Sequence, residues 1–194
     1  MSLPTRIEAF HAGRLDILRL CASNSVRLTW STQRREWLGY GVYFFAYSEA
    51  HARRWVDIGA RRGWWLGGSP GIIKAEIDLG DCLYVEEPAG AAEVQKAALD
   101  VLALCNAAGV PIPQNTGLID GVPVERNLDC LIFNQVHHNR QMRGEPEIDT
   151  ILSFCNDGPP IIPGSQIPAR GHHQICVRNY SCISKVELVW PPQP

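Results

Sequence analysis

The chain has 194 residues, 45% of them hydrophobic and 20% charged, and its formal net charge is -2. This length suffices for one hydrophobic core and is short for two, so we expect a single domain over residues 1–194. No apolar run is long enough for a membrane-spanning helix, and the N-terminal residues lack the pattern of a secretion signal. These features predict a cytoplasmic protein without a membrane partner.

The spacing of apolar residues and turn signals predicts the elements in chain order. A strand at 6–11 precedes a helix at 14–21, and an aromatic strand at 42–46 leads into a helix that Ser48 caps and that ends near Gly63. The other predicted strands are 26–30, 72–79 with an extension at 81–85, 150–155, 173–178 and 184–190; the other helices are 91–108 and 125–143; 111–121 and 157–171 are loops. Strands with half-buried alternation, scattered between helices, favour an α+β fold with mainly antiparallel sheets.

Three stretches carry a functional pattern. The first strand ends in Phe10-His-Ala-Gly13, the aromatic strand reads Gly39-Tyr-Gly-Val-Tyr-Phe-Phe45, and a late strand reads Gln174-Ile-Cys-Val-Arg-Asn179. In this order and spread, they resemble the His-Tyr-Glu triad of the poly(ADP-ribose) polymerase-like, diphtheria-toxin-type ADP-ribosyltransferases. The resemblance implies two small antiparallel sheets packed on each other with flanking helices and an NAD cleft between them. A Rossmann fold is disfavoured because Gly39-Tyr-Gly precedes a strand instead of following one.

The resemblance implies roles for the first strand. His11 matches the histidine that hydrogen-bonds the adenosine ribose of NAD, and a neutral imidazole suits a hydroxyl because it has one donor and one acceptor. The alternative is a histidine satisfied within the core. Ala12 and Gly13 follow, and the backbone here is expected to meet the nicotinamide amide; relatives usually carry glycine where this chain has Ala12.

The aromatic strand and the following helix complete the implied NAD contacts. Tyr43 matches the tyrosine that stacks on nicotinamide, although a strand tyrosine in isolation more often faces the core. Phe45 and Ser48 are further expected contacts. Trp55 is the candidate for a second ring on the other side of nicotinamide; the simplest alignment places Arg54 there, and core packing of Trp55 is the alternative.

Gln174 departs from the family because the catalytic glutamate is expected at its position. An amide keeps a hydrogen bond to the ribose hydroxyl and loses the negative charge. Three readings follow: Gln174 supports slow transfer of single ADP-ribose units, Glu145 or Glu147 stands in as the carboxylate, or the protein binds NAD or ADP-ribose without turnover.

The sequence thus predicts His11, Tyr43 and Gln174 as catalytic residues of an NAD-dependent mono-ADP-ribosyltransferase. Its acceptor would be a protein or a nucleic acid, and its setting that of a toxin or effector delivered into a target cell, with an antitoxin or immunity partner. A non-catalytic NAD or ADP-ribose reader and an NAD glycohydrolase are the alternatives. Residues 1–65 contain ten arginines and five acidic residues. This excess of positive charge is explained equally well by binding of a polyanion and by a solvated helix surface.

Cysteine and histidine usage points away from metal. The seven cysteines are an odd number without a Cys-x-x-Cys pair and lie in apolar surroundings, so we expect buried free thiols in a reducing compartment. If the pairs His137-His138 and His172-His173 lie on strands, the two side chains of each pair point to opposite faces and cannot bind one metal ion. No cysteine lies at the sequence spacing of a zinc finger from either pair. No metal site is predicted.

Overall fold

The computed structural model describes residues 4–34, 36–65, 67–119 and 122–191. It has the α+β class that the sequence predicts, with a large mixed sheet and a small sheet. The elements in these residues are β1 (Arg6–Arg14), α1 (Leu15–Ala22), β2 (Val42–Ala46), α2 (Glu49–Arg61), β3 (Pro70–Asp78), β4 (Cys82–Tyr84), α3 (Pro88–Ala108), β5 (Asn115–Ile119), β6 (Val122–Arg126), α4 (Asn127–Arg143), β7 (Thr150–Cys155), β8 (His172–Val177), a 3-10 turn (Tyr180–Cys182) and β9 (Ile183–Trp190).

The large sheet has seven strands in the order β4-β7-β8-β2-β1-β3-β9. Neighbours are antiparallel except β4 and β7, which are parallel. The second sheet is the hairpin of β5 and β6. One long sheet with a separate hairpin differs from the expected pair of comparable sheets, because β2 bonds to both β1 and β8 and so joins the two groups of strands into one.

Local signals account for most helix and strand bounds. Ser48 caps α2 by accepting a hydrogen bond from the His51 backbone N–H, as its position predicts. Helix α3 starts with Pro88 in its first turn and stops at Gly109, whose φ of 63° is left-handed. Strand β7 spans the predicted residues.

Three stretches differ from the sequence-based expectation. Residues 26–30 form no strand; only Ser31 makes an isolated bridge, with Gly41. Strand β4 does not extend β3 but lies at the far edge of the sheet, beside β7. The expected loop at 111–121 contains β5, whose partner β6 occupies the start of the expected helix; residues 120 and 121 lie outside the described part.

The two faces of the large sheet are covered by different cores. One face carries Phe44, Ile73 and Ile175 in a cluster that includes Leu18 of α1. The opposite face carries two clusters: Cys176 packs with Leu38, and Phe10 packs with Val56 of α2. Because side chains alternate along a strand, these clusters fix the face to which each candidate residue belongs.

The seams on the two sides of β1 differ in length. Strand β1 pairs with β3 over nine residue pairs, from Arg6 with Asp78 to Arg14 with Pro70. It pairs with β2 over two pairs, Ala9 with Ala46 and Phe10 with Phe45. The large sheet is therefore continuous on one side of β1 and only briefly joined on the other.

All seven cysteines are free thiols, as expected, and six of them are buried. Among the helices of the described residues, none combines the length and apolar character needed to cross a bilayer.

Candidate active site

His11 lies where the pairing of β1 with β2 stops. Its Nδ1 is 2.7 Å from the carbonyl oxygen of Tyr43, so Nδ1 carries the proton and donates. Burial lowers the pKa of His11, so the imidazole is neutral near pH 7. Its ring packs against Phe44, with centroids 5.6 Å apart.

This contact sets His11 apart from the other two triad candidates. Phe44 belongs to the core on the α1 side of the sheet, whereas Tyr43 packs with Leu38 and Cys176 on the opposite side. Strands β1, β2 and β8 are neighbours, so His11, Tyr43 and Gln174 lie on three adjacent strands. His11 reaches Tyr43 through the backbone of β2, and its role toward a ribose stays a prediction.

The Tyr43 hydroxyl holds the turn that precedes β2. It donates to the Gly39 carbonyl at 2.6 Å and accepts from the Leu38 backbone N–H at 2.9 Å. Burial raises the pKa of Tyr43 well above its usual value, so the hydroxyl keeps its proton. The tyrosine thereby fixes the segment that carries Trp37, and the residue as a whole is half-buried.

Packing explains the spacing of the two glycines in this turn. Gly39 has a φ of 79°, which a side chain would strain. At Gly41, a Cβ would overlap with the Cys176 sulfur and the Val177 carbonyl of β8. The backbone conformation therefore requires glycine at position 39 and the close approach to β8 requires it at position 41, whatever the site binds.

Gln174 shares a face with Tyr43. Register pairs Gln174 with Phe45 and Cys176 with Tyr43, and residues opposite each other in antiparallel strands point to the same side. The Gln174 Oε1 accepts from the Trp37 indole N–H at 2.7 Å. Because an indole nitrogen only donates, this contact fixes the orientation of the amide.

The other end of the amide meets His172. Gln174 Nε2 lies 3.0 Å from His172 Nε2, and His172 Nδ1 lies 3.0 Å from the Arg170 carbonyl oxygen. A carbonyl only accepts, so Nδ1 carries the proton and Nε2 accepts from the amide. Burial lowers the pKa of His172, which favours this neutral form.

Further aromatic rings and a hydroxyl lie between His172 and helix α2. The ring of His172 is 4.3 Å from that of His51 and 5.2 Å from that of Phe45, measured between centroids. The Ser48 hydroxyl is 2.7 Å from His51 Nδ1. Trp55 lies next to Phe45, at 6.5 Å between ring centroids, so it neighbours the site through Phe45.

The backbone candidates of β1 divide between the two faces. Ala12 is buried in the cluster with Phe45, on the side of Gln174. At Gly13, a Cβ would point toward the His11 ring and Leu18, on the α1 side.

A carboxylate reaches the Gln174 face from the loop after β4. Register places Ser153 of β7 directly opposite Gln174. The buried Ser153 hydroxyl donates to Glu86 Oε1 at 2.9 Å, and the Phe154 backbone N–H donates to the same oxygen at 2.7 Å. Glu86 therefore lies along the β4 side of β7 and contacts Ser153, the residue that pairs with Gln174.

The carboxylates expected to stand in for the glutamate lie elsewhere. Glu145 forms an ion pair with Arg143 at the end of α4. Glu147 precedes β7, six residues before Ser153, which corresponds to about 20 Å of extended strand. Neither position supports a stand-in role, because β7 runs away from both residues before it reaches Gln174.

Sequence reasoning missed four residues of this site: Trp37, Glu86, Ser153 and His172. Trp37 and His172 flank the recognised motifs, but only the folded register brings them to Gln174. Glu86 and Ser153 are separated by 67 residues, and no local pattern links them.

In the described ranges, no group of three or more histidine, cysteine, aspartate or glutamate side chains is arranged to hold a metal ion. Comparison of the chain with protein-family models, with curated proteins and with solved structures found no match.

Proposed function

We propose that the protein is an NAD-dependent mono-ADP-ribosyltransferase that acts on a macromolecule. The observation that carries the proposal is one face of β2, β8 and β7 that holds Tyr43, Gln174 and Ser153, whose hydroxyl contacts the Glu86 carboxylate. This chemistry needs an aromatic ring that stacks on nicotinamide, an oriented amide that hydrogen-bonds a ribose hydroxyl, and a carboxylate that stabilises the developing positive charge.

The proposed NAD cleft lies at the short seam between β1 and β2. The two residue pairs of this seam divide the large sheet into a four-strand part and a three-strand part. We propose that these two parts of the one sheet correspond to the two sheets of an ADP-ribosyltransferase-like fold, with NAD bound along the seam. Ala12 and Phe45 face this region from the two sides of the seam.

Transfer begins with cleavage of the bond between the ribose C1′ and the nicotinamide nitrogen. Nicotinamide leaves with the bonding electron pair, and positive charge develops on the ribose. A nucleophilic atom of the acceptor then bonds to C1′ and releases its proton to a base. We assign Gln174 to hold a ribose hydroxyl through the second lone pair of Oε1, which Trp37 leaves available.

Glu86 supplies the carboxylate that position 174 lacks. Its Oε1 is held by Ser153 and Phe154, whereas Oε2 makes no hydrogen bond within the described residues. The free oxygen is available to stabilise positive charge or to take the acceptor's proton. A neutral amide at position 174 and a carboxylate nearby suit the transfer of single units.

A non-catalytic NAD or ADP-ribose reader is the second candidate. The observation that favours it is the engagement of both polar atoms of the Gln174 amide, by Trp37 and His172. A reader and a transferase share the site and differ in turnover, and an NAD glycohydrolase differs from a transferase in using water as the acceptor.

The test is NAD consumption and ADP-ribose transfer with purified protein and cell extract. Gln174→Ala and Glu86→Gln should each lower turnover at least tenfold, with a smaller change in NAD affinity, because the contacts strengthen as charge develops. Gln95→Ala, at an exposed position of α3, is the matched control and should leave turnover unchanged. NAD binding without turnover in the unmodified protein would establish the reader, and no NAD binding would reject both functions.

The resemblance that suggests the activity also suggests its setting. A transferase of this kind fits a toxin or effector that works in the cytoplasm of a target cell, with an antitoxin or immunity protein as its partner. Labelled acceptors recovered from extract would separate protein from nucleic-acid targets.

A further inference from the structure

A cavity lies outside the face just described, beside the end of β8. It has a volume of about 1060 Å³ and is lined by residues 24–28 and 178–181, among others, together with Trp30. Ligand pockets commonly hold about 300 to 1000 Å³, so this cavity has room for a sizeable ligand. None of the residues assigned to NAD lines it.

Two arginines and two aromatic rings form a row in this cavity. Arg27 lies over the ring of Tyr180 at 5.3 Å, and Arg178 lies over the ring of Trp30 at 5.3 Å. The Trp30 and Tyr180 rings are 6.1 Å apart and tilted by 57°. The Tyr180 hydroxyl donates to the Leu28 carbonyl, which fixes its ring in place.

The two guanidinium groups are not neutralised by ion pairs. In the described part of the chain, neither lies within 4 Å of a carboxylate, and the only hydrogen bond of the Arg178 guanidinium runs to the Tyr40 carbonyl. Burial lowers the pKa of Arg178, which reflects the cost of a half-buried cation. Its remaining N–H groups are free to donate hydrogen bonds, and a bound anion would accept them and offset the cost of the buried charge.

The acidic residues of the cavity do not form ion pairs with the two arginines. Asp149 is engaged by the backbone N–H of Asp81 and by the side chain of Asn179. Glu147 is exposed at the rim; its charge raises the pKa of Arg178 from a longer distance, but the two side chains form no ion pair within 4 Å. The cavity therefore combines two available cations with two aromatic rings.

The geometry points to a binding site for a nucleotide unit, a flat heteroaromatic base joined to a phosphate. Base stacking on Trp30 and phosphate contact with Arg27 and Arg178 are the interactions that single-stranded nucleic acids and free nucleotides make with proteins. Arg178 comes four residues after Gln174, about 13 Å along an extended strand. The inference concerns binding alone and does not depend on NAD cleavage.

The test is equilibrium binding of three probes to the full chain: a uridine-rich single-stranded RNA, adenosine monophosphate and inorganic phosphate. Trp30→Leu should weaken binding of the RNA or of the mononucleotide about tenfold, since a stacked base commonly contributes that much. Arg27→Gln and Arg178→Gln should each reduce the slope of log affinity against log salt for RNA by about 1.

A matched Arg–Trp pair outside the cavity provides the control. Arg62 lies 5.6 Å over the ring of Trp64, and neither residue lines the cavity. Trp64→Leu and Arg62→Gln should leave binding of all probes unchanged. Arg27 is exposed, so its substitution tests the site even if a change at the half-buried Arg178 impairs folding.

The outcomes separate the possible ligands. Binding of RNA alone identifies a single-strand site, and binding of the mononucleotide as well identifies a site for the free unit. Phosphate that binds as tightly as either nucleotide probe, without sensitivity to Trp30→Leu, overturns the base-stacking assignment. No binding of any probe, or equal effects of the cavity and control variants, overturns the inference.

Discussion

The two seams of β1 show two ways in which a strand is held. Toward β3, nine residue pairs engage the backbone donors and acceptors of β1 that point to that strand. Toward β2, pairing ends after two residue pairs. The Tyr43 carbonyl of β2 accepts a hydrogen bond from the His11 side chain instead of from the backbone of β1. A long seam provides rigidity, whereas a short one leaves backbone and side-chain groups for other uses.

The candidate site lies on the side of the short seam. There the polar side chains are held by one another: Trp37 and His172 orient Gln174, and Ser153 holds Glu86. The other side of β1 holds mostly apolar residues such as Ile73 and Leu188, which pack the core. This contrast predicts that substitutions at the long seam act on stability and those near the short seam on function.

The largest effect on stability is expected at the long seam. Ile73 is 0% exposed, and Ile73→Ala leaves a cavity that should lower the free energy of unfolding by about 2 to 5 kcal/mol. Denaturant unfolding measures the loss. Lys74→Ala, on the next and more exposed position of β3, should change it by less than about 1 kcal/mol. Equal losses for both variants would contradict the assignment of β3 to the core of the fold.

A negative charge introduced at position 174 should change the ionisation of His172. Gln174→Glu places a carboxylate 3.0 Å from His172 Nε2, where the amide now donates. The imidazolium then gains a negatively charged partner, so the pKa of His172 should rise. Imidazole NMR shifts followed against pH measure it.

The matched control for this substitution is Gln95→Glu on α3, which should leave the His172 titration unchanged. A His172 pKa that does not respond to Gln174→Glu would show that the two side chains are not in contact. If NAD turnover rises in Gln174→Glu, the amide limits the reaction; if it falls, repulsion with Glu86 outweighs the gain.

A smaller effect is expected from the indole that orients the amide. Trp37→Phe removes the N–H donor to Gln174 and keeps an aromatic ring, so stability should fall by about 0.5 to 1.5 kcal/mol. Because the amide is then held only by His172, kcat for NAD cleavage should fall more than NAD affinity. Trp64→Phe is the control. Loss of stability with unchanged kcat would limit Trp37 to a structural role.

The smallest effect is a pH dependence of the short seam. Burial lowers the pKa of His11, so the unfolded chain binds a proton more readily than the folded one. The stability that neutral His11 contributes is complete above its ordinary pKa of about 6.5 and declines as pH falls toward the folded-state pKa. His11→Gln keeps a donor for the Tyr43 carbonyl and should flatten the slope of stability against pH.

Unfolding free energies between pH 7 and 5 measure this difference. His138→Gln, at an exposed position of α4, should leave the slope as in the unmodified protein. An unchanged slope in His11→Gln would place the titrating group elsewhere.

Elements with strong local signals were predictable from sequence. The cap at Ser48, the stop at Gly109 and the alternation of β3 depend on residues close together in the chain, so propensity and periodicity suffice. Strand β4 and the hairpin of β5 and β6 were not predicted correctly. Short strands carry weak local signals, and their pairing is decided by partners distant in sequence.

The candidate site divides in the same way. The sequence by itself determined that His11, Tyr43 and Gln174 lie on strands and that a glycine-rich turn precedes β2. Only the tertiary structure decided that β2 lies between β1 and β8, that His11 packs on the face opposite Tyr43, and that Gln174 meets Trp37 and His172. It also brought Glu86 to Ser153. Strand order and register set these contacts, because a shift of one residue reverses the face of every side chain and no local pattern encodes that choice.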